Sequence, residues 1–144
     1  MIYIASDHAG FELKEDIKNY LQDNKIEYAD LGTDSEKSVD YPDYAFKVAK
    51  EVNNTAGSLG ILICGTGIGM GIAANKIKGI RAALIYDEYT AEVARKHNNA
   101  NIITLGGRTM TPLEARRYIT KFISSEYEGG RHDKRITKIE NAEK

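Results

Sequence analysis

A single cysteine lies where an apolar run meets a glycine-rich turn. Residues 60–64 read Gly-Ile-Leu-Ile-Cys, which is typical of a buried strand, and four glycines then alternate with other residues from Gly65 to Gly71. A short helix is predicted over 72–76, and the unpartnered N–H groups at a helix start favour an anion, a thiolate included. These features indicate a reactive thiol at Cys64 beside an anion hole. The alternative, a small buried hydrophobe before a tightly packed strand–helix turn, stays open.

The glycine spacing does not match the common nucleotide-binding motifs. A GxGxxG pattern that begins at Gly65 would require glycine where Met70 stands, and the Gly-Lys-Ser/Thr of a phosphate-binding loop is absent from this turn. Asp87 follows at about the 20-residue distance of a ribose-binding acid, but without the fingerprint we interpret it as a helix cap. A dinucleotide site is therefore disfavoured.

Other residues able to do chemistry each have a simpler structural interpretation. Asp7 is a favoured residue for capping a helix, and the His8 imidazole, which titrates near neutrality, is satisfied by the backbone in many turns. His97 near a helix C-terminus is a favourable partner for the helix dipole. The basic group at the C-terminal end would ordinarily form a solvated helix face: Arg131, His132, Lys134 and Arg135.

The elements that must position these residues form an alternating pattern. The predicted strands are 2–5, 28–31, 60–64, 82–86 and 102–105. Amphipathic helices lie between them, one beginning at Pro42, one capped by Asp87 and one opening with the capping box Thr111-Pro112-Leu113-Glu114. The pattern predicts a doubly wound, Rossmann-like α/β fold, with a five-stranded parallel sheet of expected order 2-1-3-4-5 and helices on both faces.

This topology predicts where the site lies. Ligands of such sheets bind beyond the carboxyl ends of the strands at the switch point, here between the first and third strands, where Asp7 and His8 meet the turn after Cys64. The helix that ends at His97 starts at this edge and runs back about 15 Å over its ten residues. A catalytic His97 would therefore serve Cys64 of another subunit, which predicts a two-fold homodimer with shared active sites.

Length and composition describe an ordinary globular protein. The chain has 144 residues, 42% of them hydrophobic and 28% charged, and a net charge of −1, so we expect a single domain over 1–144 with a charged C-terminal segment at 126–144. Near-neutral charge gives no reason to expect a nucleic acid or a membrane as partner. One cysteine, no zinc-like cluster and no signal-peptide pattern predict a cytoplasmic protein without a metal.

Several stretches together resemble the ribose-5-phosphate isomerase B family, which also includes galactose-6-phosphate and allose-6-phosphate isomerases. The resemblance runs nearly end to end and rests on Ser6-Asp7-His8-Ala9-Gly10, Asp40-Tyr41-Pro42-Asp43-Tyr44-Ala45, Cys64-Gly65-Thr66-Gly67-Ile68-Gly69, Ala73-Ala74-Asn75-Lys76, Arg95-Lys96-His97-Asn98 and Tyr127-Glu128-Gly129-Gly130-Arg131-His132. It implies a doubly wound homodimer, in some members paired into a tetramer, that needs neither metal nor organic cofactor.

The resemblance also implies roles for individual residues. Cys64 would be the proton-transferring base, His97 the acid that helps to open the sugar ring, and Thr66 a group near the ring or carbonyl oxygens. The implied sugar contacts are Asp7, His8, Tyr41, Gly65, Gly67, Ile68, Gly69 and Asn98. The implied phosphate ligands are Arg108, Arg131 and Arg135. Family members that lack the cysteine carry Glu six residues later, where this chain has Met70, so Cys64 has no substitute.

The leading hypothesis is a metal-independent isomerase that interconverts D-ribose 5-phosphate and D-ribulose 5-phosphate in pentose phosphate metabolism through a cis-enediolate. A thiolate exchanges protons near neutral pH, the glycine amides would hold the enediolate oxygen, and guanidinium groups suit a phosphate dianion. A six-carbon substrate such as allose 6-phosphate or galactose 6-phosphate is the alternative. Two further alternatives are a non-catalytic sugar-phosphate sensor and one subunit of a hetero-oligomeric isomerase. The presence of Cys64, Thr66 and His97 argues against the sensor.

Overall fold

The computed structural model describes residues 1–143, in which strands and helices alternate. The strands are β1 (Ile2–Ser6), β2 (Tyr28–Asp30), β3 (Leu59–Cys64), β4 (Ala82–Leu84) and β5 (Ile102–Gly106). The helices are α1 (Phe11–Asp23), α2 (Tyr41–Asn54), α3 (Ile68–Ala74), α4 (Glu88–Lys96), α5 (Pro112–Ser124) and α6 (Asp133–Asn141), with a 3₁₀ turn at Gly130–His132. None of the helices described here has the length and apolar character that a membrane crossing requires.

All five strands are parallel and lie in the order β2-β1-β3-β5-β4. The α/β class and the parallel sheet are confirmed, but the expected order 2-1-3-4-5 is wrong in its last two strands. The reason is burial, because β5 is buried along its whole length and pairs with β3 from Ile102 to Gly106, which suits a central strand. The three-residue β4 leaves Leu84 39% exposed and suits an edge.

Side chains alternate across the sheet and form two cores. Ile4, Ile61 and Ile103 face the layer of α1, α4 and α5, whereas Leu62 and Cys64 face the layer of α2 and α3. This alternation decides the direction of the thiol. The last residue of β3 points toward the start of α3 rather than toward α5.

The helix caps predicted at Asp87 and Thr111 are present, whereas Asp7 does not cap α1, whose N-cap residue is Gly10. The Asp87 carboxylate accepts a hydrogen bond from Thr90 N–H at 2.6 Å at the start of α4, and the Thr111 hydroxyl accepts one from Glu114 N–H at 3.2 Å at the start of α5. The basic group interpreted as a solvated helix face is divided between the 3₁₀ turn and α6. The final residue of the charged 126–144 segment lies outside the described residues.

The helix expected at 72–76 starts earlier. Gly67 has a φ of 84°, the left-handed conformation that glycine adopts most readily, and α3 begins at the next residue. Gly69 and Gly71 therefore belong to the helix, and the turn after Cys64 is only three residues long. Because the turn is shorter than expected, the start of α3 lies closer to the thiol than the sequence pattern predicts.

A buried lysine joins α1 to the loop that follows β2. Lys14 is fully buried, and its ammonium group donates to both carboxylate oxygens of Asp30, at 2.7 and 2.8 Å, and to the carbonyl oxygen of Thr33. Lys18 also binds the Asp30 carboxylate, at 2.8 Å. Burial alone would raise the pKa of Asp30, but hydrogen bonds from Lys14, Lys18 and the Gly32 N–H outweigh it and hold that pKa below its usual value.

We expect Asp30→Asn to lower the free energy of unfolding by about 2–3 kcal/mol at pH 7, because it leaves the Lys14 ammonium buried without its counter-charge. The value is below that of an enclosed pair because the Asp30 side chain is 24% exposed. Asp30 has a lowered folded pKa, so its stabilisation is full above the unfolded value of about 3.9 and disappears as the pH falls through the folded value. Urea denaturation at pH 7 and pH 3 measures both effects.

The control is Asp16→Asn, which breaks the more exposed pair with Arg116 and should cost less. Equal losses in the two variants, or a difference between wild type and Asp30→Asn that stays unchanged at pH 3, would contradict this account of Asp30.

Candidate active site

The turns that follow β1, β3 and β5 meet at the carboxyl edge of the sheet. Gly107 N–H donates to Cys64 O at 2.8 Å, and Arg108 N–H donates to Gly65 O at 2.9 Å. A methyl group on Gly107 would lie 2.6 Å from the carbonyl oxygen of Ala9, so the first and third turns touch backbone to backbone. This close packing fixes the three turns relative to one another.

The thiol lies at the base of this edge. Cys64 is 5% exposed, and its Sγ accepts a hydrogen bond from Gly67 N–H at 3.1 Å. A backbone N–H that points at sulfur stabilises a thiolate by the same interaction that it would make with any anion. One residue before that donor, Thr66 is exposed, and its hydroxyl accepts from Ile68 N–H at 3.2 Å.

Two larger side chains flank the turn where glycine leaves room. A methyl group on Gly65 would lie 3.2 Å from Arg108 Nη1, and one on Gly69 would lie 2.5 Å from the Tyr41 ring. Arg108 therefore covers the start of the turn, and Tyr41, the first residue of α2, covers the start of α3. The structure brings these predicted site residues together with Cys64 and Thr66.

The turn after β1 carries Asp7 and His8. One Asp7 carboxylate oxygen accepts from Ala9 N–H at 2.9 Å and from Gly10 N–H at 3.0 Å, so Asp7 shapes this turn. His8 Nδ1 accepts from Val39 N–H at 3.2 Å. A ring nitrogen that accepts a hydrogen bond carries no proton, so the neutral His8 ring holds its proton on Nε2 and offers a donor there. The loop that sets this tautomer was not among the predicted site elements.

The other predicted residues lie at the opposite edge. His97 is the C-cap residue of α4, and just before β5 the carbonyl oxygen of Asn101 accepts from Gly60 N–H at 2.8 Å at the start of β3. At the usual strand rise, roughly 13 Å separate Gly60 from Cys64. His97 and Asn98 therefore lie at the amino edge, away from the thiol of their own chain, in agreement with the helix-length argument.

His97 contacts two residues that the sequence analysis did not assign to the site. Its ring stacks on His132 with centroids 4.4 Å apart and 17° between the planes. One Glu128 carboxylate oxygen lies 3.6 Å from His97 Nε2 and 3.7 Å from His132 Nε2. Burial lowers the pKa of His132, and the neighbouring His97 and Arg131 lower it further, although Glu128 opposes them. No local pattern marks these contacts, because they join α4 to a segment some thirty residues later.

The three predicted phosphate ligands are divided between the two edges. Arg108 lies beside Gly65, whereas Arg131 and Arg135 flank His132, with Arg135 Nη1 donating to Arg131 O at 3.1 Å. Each edge of one chain therefore carries part of the predicted set.

The His97, Glu128 and His132 cluster is also the place to test for a metal. Their ligand atoms lie within 4.8 Å of one another. An imidazole binds a metal through a nitrogen lone pair that lies in the plane of its ring. A metal bound to both His97 and His132 would therefore lie in both ring planes, about 2.1 Å from a nitrogen of each ring. The near-parallel stacked rings do not meet there, so these side-chain orientations do not suit a shared metal.

Comparison with known proteins identifies relatives along nearly the whole chain. A family model described as ribose/galactose isomerase matches residues 2–139. A probable ribose-5-phosphate isomerase B of Mycoplasma pneumoniae is 49% identical over 139 residues, which cover 96% of this chain and 91% of the relative. The crystal structure of a Thermotoga maritima ribose 5-phosphate isomerase has a TM-score of 0.96 and 53% identity over 98% of this chain and 97% of that one. The Mycoplasma genitalium ribose-5-phosphate isomerase B with bound ribulose-5-phosphate has a TM-score of 0.92 and 46% identity over 97% and 93%.

The His8 hydrogen bond gives a spectroscopic prediction. Long-range ¹H–¹⁵N correlation spectra at alkaline pH should show the neutral His8 ring with its proton on Nε2, because Val39 N–H occupies Nδ1. Val39→Pro removes that donor and should give a mixture of the two tautomers. A wild-type His8 protonated on Nδ1 would contradict the assignment.

Proposed function

The chain belongs to the ribose/galactose isomerase family, and we propose that it interconverts D-ribose 5-phosphate and D-ribulose 5-phosphate. The observation that carries this proposal is Cys64, a lone thiol that receives the Gly67 N–H inside a turn flanked by Arg108 and Tyr41. The M. genitalium relative, with bound ribulose-5-phosphate, supports the substrate class. A free thiol without a disulfide partner is consistent with a reducing, cytoplasmic setting.

Isomerisation requires one base that reaches two adjacent carbons. The Cys64 thiolate takes the proton from C2 of the open-chain aldose, and the bonding pair forms the C1=C2 double bond as the charge moves to O1. The O2 hydroxyl proton then passes to O1, a step that we assign to Thr66 as relay, and the thiol returns its proton to C1 as the C2 carbonyl forms. No net proton is gained or lost, and one thiol serves both carbons.

The developing oxyanion needs donors that are not already in use. Gly67 N–H serves the sulfur, Ile68 N–H serves Thr66, and Gly71 N–H donates to Gly67 O at 3.1 Å. Within residues 1–143, the backbone N–H groups of Gly65, Thr66, Gly69 and Met70 have no acceptor. We therefore assign the enediolate oxygen to donors of this set, which leaves out Gly67, Ile68 and Gly71.

The division of the site between two edges supports a two-fold homodimer. The carbonyl end of the sugar would bind the Cys64 turn of one subunit, with His97, Asn98, Arg131 and Arg135 supplied by the other. Apolar side chains beside the turn are exposed in the single chain, as expected of a surface that another copy covers. They are Ile68, Ile72, Leu84 and Tyr86.

We expect the purified protein to convert ribose 5-phosphate in the presence of EDTA, and Cys64→Ala to reduce kcat at least ~10²-fold, the usual scale for an acid–base group. Leu62→Met is the matched control, since it replaces a buried side chain of the same strand by one of similar volume and should keep the rate. Near-full activity of Cys64→Ala would contradict the thiol mechanism.

The same assay tests the choice of substrate. The family description also covers galactose isomerases, so the assay includes allose 6-phosphate and galactose 6-phosphate. A faster rate with either sugar would change the proposed substrate to a six-carbon sugar phosphate.

Mixing two inactive variants tests the shared site. Cys64→Ala and His97→Ala chains, allowed to exchange subunits, should recover about a quarter of wild-type activity, because half of the dimers are mixed and each mixed dimer has one intact site. Cys64→Ala mixed with Cys64→Ser is the control and should recover nothing, since every site lacks a thiol. A His97→Ala mixture that stays as inactive as its components would place both residues in the same chain's site.

A further inference from the structure

The geometry points to Glu128 and His132 as positioning residues for His97: the His132 ring holds the His97 ring in place by stacking, and Glu128 holds a carboxylate near its Nε2. This inference rests on the proposed function, in which His97 opens the sugar ring. Neither residue needs to touch the reacting atoms. The two act through the ring that they contact.

Backbone contacts fix the cluster from both sides. Glu128 N–H donates at 3.0 Å to the carbonyl oxygen of Lys96, the residue before His97. His132 is buried and lies in the 3₁₀ turn, where its N–H donates to Gly129 O at 3.3 Å. The C-terminal segment thus carries a flat ring and a carboxylate to the end of α4. The stack of 4.4 Å restricts rotation of the His97 ring.

The charges around the two rings are unequal. His132 is flanked by Arg131 and Arg135, and burial lowers its pKa, so this ring stays neutral at pH 7. The groups near His97 are Glu92 of α4, which itself pairs with Lys96, and Glu128 and His132 of the C-terminal segment. Two stacked imidazolium rings would repel each other, so a neutral His132 is the form compatible with an acid at His97. The Glu128 carboxylate, near both Nε2 atoms, places a negative charge beside the more exposed ring, His97.

The positioned His97 ring has one use in the reaction. In furanose opening, the C1–O4 bond breaks with its electron pair on O4, O4 takes the proton from His97, and the O1 hydroxyl releases its proton to water as C1=O forms. His97 regains a proton from solvent. Ribulose 5-phosphate needs no such step, because its O5 carries the phosphate and no hydroxyl can close a five-membered ring on C2.

This difference between the two substrates distinguishes a loss of His97 positioning from a general loss of active-site structure. Isomerisation of ribose 5-phosphate requires ring opening, whereas exchange of the C1 proton of ribulose 5-phosphate in D₂O requires the Cys64 steps alone. We expect Glu128→Gln and His132→Ala to lower kcat for ribose 5-phosphate about 10-fold, below the full effect of losing an acid, and to leave C1 exchange, followed by ¹H NMR, within about twofold of wild type. His132→Phe keeps a flat ring and should recover most of the His132→Ala loss.

Glu126→Gln is the matched control, an exposed glutamate in the same segment, and should change neither rate. Equal losses in both reactions, or no loss in either, would overturn the positioning role while leaving the isomerase intact. A wild-type protein that shows neither isomerisation nor exchange would instead overturn the proposed function, and this inference with it.

Discussion

In a parallel sheet, each strand carries the chain from one edge to the other and each helix carries it back, and this constraint governs the site. Cys64 ends a strand and His97 ends a helix, so the two lie at opposite edges of the sheet in one chain. The same rule places Arg108 with the thiol and Arg131 with the histidine. In the proposed function, each chain of this ribose/galactose isomerase family member would therefore carry two partial sites, and a two-fold partner would complete both.

The carboxyl edge depends on close backbone contact and on one buried charge. Glycines at 65 and 69 leave space that the side chains of Arg108 and Tyr41 occupy, and left-handed Gly67 starts α3 directly beside the sulfur. Farther away, the buried ammonium of Lys14 holds the loop after β2 through Asp30 and Thr33, and the same loop presents Val39 N–H to His8. The contacts that stabilise the fold and the contact that orients His8 therefore involve the same loop.

Local patterns predicted much of this arrangement. Capping residues, apolar stripes and the switch-point rule located the strands, most helices and the meeting of the turns that carry Asp7 and Cys64. The order of β4 and β5 was not accessible in this way, because it depends on which strand is buried on both faces. Nor was the start of α3, which follows from one left-handed glycine. Glu128 and His132 lie in one of the stretches that carry the family resemblance, but no local pattern links them to His97, because their proximity to it exists only after α5 has returned the chain.

The central claim is that one sugar phosphate contacts two chains, and a crystal structure of Cys64→Ala with ribulose 5-phosphate tests it most directly. The account predicts a two-fold dimer in which C1 and C2 lie against the 64–69 turn of one protomer while the phosphate binds Arg131 and Arg135 of the partner subunit. A ligand held at both ends by residues of a single chain would contradict it.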